Sequence, residues 1–128
     1  MADEKEAKKV QNNDTLLRLP DLLERYANNV KFESSDWDLK LTFGLLDQTT
    51  SPLTVRQHTT MNVPWTQAKI MAFYVAANVL IHEHTHGPIK LTTPLLPPKA
   101  SDMEIEMFKT PEGKKLAEQL DELRSNLL

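Results

Sequence analysis

One stretch, IMAFYVAANVLI at residues 70–81, constrains this chain more than any other. Pro64 stands where a helix takes its first residue, and no further breaker occurs before Gly87-Pro88. The spacing therefore predicts one helix over roughly 65–84. Ala68, Met71, Val75 and Val79 follow one of its faces, while Ile70, Phe73, Ala77, Leu80 and Ile81 follow another. A surface helix shows a single apolar stripe, so one that is apolar on every side has to be buried on both flanks. The run is also well short of the roughly 20 residues that span a bilayer, which points to burial in protein and not in membrane.

The residues ahead of the helix read as strands. In WDLKLTFGL, Trp37, Leu39, Leu41, Phe43 and Leu45 alternate with Asp38, Lys40, Thr42 and Gly44, giving one apolar and one wet face. Val30 and Phe32 alternate with Lys31 and Glu33 in the run before it, and the Ser34-Ser35-Asp36 turn predicts that the two runs pair as an antiparallel hairpin. Past the polar loop DQTTSPL, the β-branched residues of TVRQHTTMNV predict a third strand and so a meander. Earlier still, Pro20 followed by Leu22, Leu23 and Tyr26 predicts a short helix of two turns. Residues 1–14, mixed acids and lysines without an apolar block, read as a disordered tail and not as a signal peptide.

A three-stranded sheet covers only one flank of such a helix. The other flank must meet the C-terminal segment or a second subunit, and a twofold homodimer is the economical solution. After Gly87, Pro94, Pro97 and Pro98 indicate an extended connector with room for one short edge strand. Ser101 and Glu104 have capping-box spacing and predict a short helix. From Thr110-Pro111 a last helix carries Leu116, Leu120, Leu123 and Leu127 on one stripe, made to lie on something.

Composition narrows the function. A net charge of -3, with no face that gathers Lys and Arg, argues against nucleic acid as a partner. With no cysteine, the chain has no disulfide framework, no thiolate zinc site and no cysteine nucleophile. Phosphate-cradling glycine loops are absent, and only Gly44, Gly87 and Gly113 exist to build one.

His82, Glu83 and His86 spell H-E-x-x-H, which on a helix would place two imidazoles beside a zinc ion and a general base next to its water. Against this, Gly87-Pro88 puts His86 in the last turn, and no later histidine supplies a third ligand. Histidines at a helix C-terminus already have a structural reason, since they complement the macrodipole and the free carbonyls. The structural reading outweighs the metal one, so no metal and no other cofactor is expected, and a metal-dependent hydrolase is the competing alternative. His58 reads as a surface residue between Gln57 and Thr59. Asn78, the strong polar group within the apolar helix, reads as a device for register or partner choice.

Two blocks together carry a resemblance. YANNVKFESSDWDLKLTFG and MNVPWTQAKIMAFYVAANVLIHE resemble the prokaryotic domain of unknown function 3467 family. Tyr26, Ala27, Asn28 and Val30 match its Y-A-N-x-V start, and Ser34 or Ser35 with Asp36 and Trp37 match its turn. Asn78, Val79, His82 and Glu83 match the end of its helix, while Pro64, Ala68 and Lys69 match its opening with one extra residue between proline and alanine. The resemblance implies a small cytoplasmic protein with no established activity and no catalytic residues to carry over, in which Glu83 is a family feature and the second histidine is accidental.

The sequence thus predicts an α+β fold: a three-stranded antiparallel meander, a long buried helix, and a C-terminal helix. Residues 15–98 form the α+β domain and 99–128 a C-terminal helical segment. Phe73, Asn78, Leu80, Leu116, Leu120 and Leu123 are the expected interface residues. They fit a non-enzymatic scaffold that self-associates and takes a further protein partner, and a small-ligand pocket is the third alternative.

Overall fold

The computed structural model describes residues 15–128, so the tail expected over 1–14 lies outside the described residues. The fold is α+β: a three-stranded antiparallel sheet followed by two long helices. Strands β1 (Asn29–Ser34), β2 (Asp38–Asp47) and β3 (Thr54–Pro64) lie in the order β1-β2-β3. Helix α1 spans Trp65–His86 and helix α2 spans Pro111–Leu127, with short 3-10 turns at Thr93–Leu95, Ala100–Asp102 and Glu106–Lys109 between them. The described residues divide into two compact units, 15–36 with 40–62 and 37–39 with 63–128.

The first unit is organised by its central strand. Leu41, Thr42 and Gly44 are the buried residues of β2, as expected for the strand with a neighbour on each side. The Thr42 and Thr60 hydroxyls hydrogen-bond to each other at 3.2 Å across the β2–β3 ladder, so the buried polar group is satisfied. Gly44 is required by a close approach. A Cβ there would stand 2.8 Å from the Arg56 carbonyl oxygen and 3.0 Å from a Val55 methyl, both on β3.

The expected helix at Pro20 does not form. Residues 20–21 make a turn, closed by a hydrogen bond from the Leu22 amide to the Leu19 carbonyl, and the chain then runs without regular secondary structure into β1. A two-turn helix is marginal in water unless its apolar stripe is buried. Here Leu22, Leu23 and Tyr26 all stay exposed. What holds this segment is Asn28. Its backbone N–H donates to the Gly44 carbonyl at 3.1 Å, its side-chain oxygen accepts from the Leu46 N–H at 2.6 Å, and its side-chain NH2 donates to the Leu46 carbonyl at 3.4 Å. The amide side chain thereby imitates one more rung of the ladder beyond the end of β1. Replacing Asn28 with alanine is expected to destabilise the sheet unit by about 1–2 kcal/mol, the worth of one or two such bonds. Urea unfolding followed by amide signals from β1 and β2 reads this loss.

His58 is not the surface residue its alternation suggests. It is half-buried on β3, with Nδ1 2.8 Å from the Thr59 hydroxyl and Nε2 2.9 Å from the Tyr26 carbonyl. The imidazole therefore ties the irregular segment before β1 to β3. The two sheet edges differ. β1 has six residues and carries the Lys31–Glu33 ion pair at 3.7 Å, whereas β3 has eleven, with Arg56 as its only residue of fixed charge.

In the second unit, Thr110 caps α2 through its hydroxyl, which accepts from the Gly113 N–H at 3.0 Å, and Pro111 follows at the first helical position. The helix expected from Ser101 is replaced by two 3-10 turns, because that region is fastened to α2. The Asp121 carboxylate accepts from the Ala100 N–H at 2.6 Å and the Ser101 N–H at 3.3 Å, and Arg124 Nε donates to the Pro97 carbonyl at 2.8 Å. With the Ser101 amide turned toward Asp121, the Ser101–Glu104 capping box has no helix to start. No strand forms between Gly87 and Thr110.

The Ser101 hydroxyl, together with the Ala100 and Ser101 amides, holds the Asp121 carboxyl below its ordinary pKa. A carboxyl lowered on folding stabilises the fold above its unfolded pKa, and that contribution is lost as pH falls through the lowered value. An acid titration followed at the Ala100 amide is expected to report a midpoint below the usual aspartate range. In Asp121→Asn the step is absent.

Candidate interaction surface

Helix α1 ends where Gly87, at φ 91°, takes a left-handed backbone that a side chain would strain, and its N–H returns to the Glu83 carbonyl at 2.8 Å. Glu83 also accepts from the Ile89 N–H through its carboxylate at 2.8 Å. Its side chain thus fastens the outgoing chain to the last helical turn.

The H-E-x-x-H residues are engaged in the same way. His82 and His86 stack with ring centroids 4.5 Å apart and planes 22° from parallel, and His86 Nδ1 lies 3.3 Å from the His82 carbonyl. Rings stacked face to face do not aim their nitrogen lone pairs at one point, as two ligands of a single ion must. Among the described residues, no three His, Asp or Glu side chains are grouped so as to hold a metal ion.

The burial expected for α1 is not found within the single chain. Ala68 is its only buried residue. Ile70 is 51% exposed, Phe73 67%, Tyr74 60%, Val75 58%, Leu80 70% and Ile81 63%, while Met71, Ala77 and Val79 are half-buried. The physical reason lies in the C-terminal segment, which spends its packing on itself. Gly113 and Ala117 are the buried residues of α2, on the side that meets the 3-10 turns, and Asp121 and Arg124 continue that side one and two turns on. The leucine stripe is therefore not the packed face of α2. Leu116, Leu120, Leu123 and Leu127 all remain exposed.

Asn78 is exposed and donates from its side chain to the Tyr74 carbonyl of its own helix at 2.7 Å, using one of the four hydrogen-bonding positions of the amide. Beside it, Met71, Tyr74, Val75, Val79, His82 and Ile89 line an open apolar groove, to which Ile89 is brought by its bond to Glu83. A second, shallow depression on the sheet unit is lined by Leu23, Arg25, Phe43, His58 and Met61. All six expected interface residues thus lie exposed on one or other helix, and Phe73 and Leu80 share a face of α1 with Ile70 and Ala77.

Five residues matter here whose roles sequence reasoning did not reach. Gly113 and Asp121 carried no signal, because a glycine inside a helix reads as a penalty and an aspartate as a wet face. Arg124 carried none either, and His58 reads as a strand residue facing water. Asn28 was singled out only as part of a motif.

Among the described residues, no helix is long and apolar enough to cross a membrane. Compared with family models, curated proteins and solved structures, the chain matches none.

Proposed function

We propose that this protein is a non-enzymatic interaction module that works as a homodimer, with the exposed apolar side of α1 as its self-association surface. The observation that carries the reading is a 22-residue helix with a single buried residue. Water-exposed aromatic and branched side chains in one continuous patch mark a surface that is covered in the working protein. Taking each as roughly 200 Å2 when fully open, Ile70, Phe73, Tyr74, Leu80 and Ile81, which share one side of the helix, present on the order of 600 Å2. That is within what each partner contributes to a standard stable interface, about 600–1000 Å2.

The leucine stripe of α2 and the long edge of β3 are further surfaces for a protein partner in the same proposal. Membership of the family named above, with its cytoplasmic prokaryotic setting, belongs to it as well. Asn28 supports that part, since its side chain gives the Y-A-N-x-V motif a structural purpose. Light scattering on tag-free protein tests the core of the reading. A particle of twice 14.6 kDa that dissociates on dilution is expected, and a monomer at every concentration overturns it.

A further inference from the structure

We infer that the partner on α1 is the same helix of a second copy, running antiparallel and crossing it at Ala77. This rests on the self-association proposed above and adds the arrangement. A twofold contact has to be self-complementary, because each residue meets the surface its equivalent presents. The open face of α1 has this property. Tyr74 and Leu80 lie three residues either side of Ala77, Phe73 and Ile81 four, and Ile70 and His84 seven.

The sizes fit a crossing and not a straight parallel pair. Two helices that cross approach most closely at one point and splay away from it. Alanine at the centre permits the close approach, and Phe73 and Leu80, then Ile70 and His84, fill the widening gap on each side. A parallel pair would set Phe73 against its own copy and Ala77 against its own, placing a bulge next to a hole.

Charge points the same way. Lys69 and Glu83 lie fourteen residues apart on one flank of this face, close to equidistant from its centre. Antiparallel helices bring such flanks together, so Lys69 of one copy meets Glu83 of the other at both ends. In a parallel pair Lys69 would face the uncharged Tyr74 flank instead. Antiparallel dipoles add to the same preference.

The chain has no native cysteine, so a single spin label placed by Gln67→Cys reports the arrangement on the full-length protein. In the antiparallel crossing the two labels stand ten residues from the axis on opposite sides, on the order of 30 Å apart at 1.5 Å per residue. In a parallel pair they stand about 10–15 Å apart, near the interaxial distance of packed helices. A separation near 30 Å is the expected result. The short distance overturns the antiparallel arrangement while leaving self-association intact. Absence of any dipolar coupling, with a monomeric mass, overturns both.

Discussion

Replacing Gly113 with alanine is expected to unfold the C-terminal turns around α2 while the sheet keeps its amide protection. Glycine to alanine inside a helix ordinarily gains up to about 1 kcal/mol, because the helix no longer has to order a glycine. Here the sign reverses. A Cβ on Gly113 would fall onto the Met107 carbonyl oxygen and lie 2.9 Å from the Phe108 Cα. Both are backbone, so no side chain can swing aside. Relief requires the 3-10 turn at Glu106–Lys109 to leave α2, and with it goes the cap in which the Gly113 N–H meets the Thr110 hydroxyl. Overpacking of this kind costs about 1–3 kcal/mol, and loss of the cap about 1 more. Hydrogen exchange resolved by residue is the measurement. Protection is expected to collapse over 100–127 and to persist over β1, β2 and β3, and full protection of α2 in the variant would refute the packing described.

Phe73→Asp is the second large effect, and it concerns association instead of folding. Phe73 is two-thirds exposed in the single chain, so the carboxylate costs little there. Between two paired helices the same group would be stripped of water without a partner charge. Central aromatic residues of interfaces are worth about 2–4 kcal/mol when removed. At 1.4 kcal/mol per tenfold, the dissociation constant is expected to rise by roughly 30- to 700-fold. Sedimentation across a dilution series reads the change, and far-ultraviolet circular dichroism shows whether the secondary structure is kept. A variant that dimerises as tightly as the parent protein would remove α1 from the interface.

The parts of this fold that were legible in the sequence are those with a regular period. Alternation from Trp37 to Leu45 gave β2, β-branched residues gave β3, and Pro64 with Gly87 bracketed α1 to within two residues of its observed end. The illegible parts are those in which a single side chain satisfies distant backbone. Asp121 reaches back about twenty residues to Ala100, and His58 reaches thirty-two to Tyr26, and no local pattern encodes either. The two short helices expected near Pro20 and Ser101 failed for a related reason. Local spacing proposes a helix, but without a face to bury or a free amide to cap, so few residues do not hold one. Of the candidate surface, the apolar character of α1 was evident from composition alone. That its own chain leaves it uncovered was not, because coverage depends on where the C-terminal segment spends its packing.

The unequal edges of the sheet bear on how the protein avoids running together into fibres. An open strand edge is a template for another strand, and a sheet with two open edges adds strands without limit. Charge and shortness blunt β1, whose six residues hold the Lys31–Glu33 pair, whereas β3 offers eleven with little charge. Growth is thereby confined to one side. A sheet open only at β3 that meets another of its kind closes after a single joining, because the two outer edges of the product are both β1.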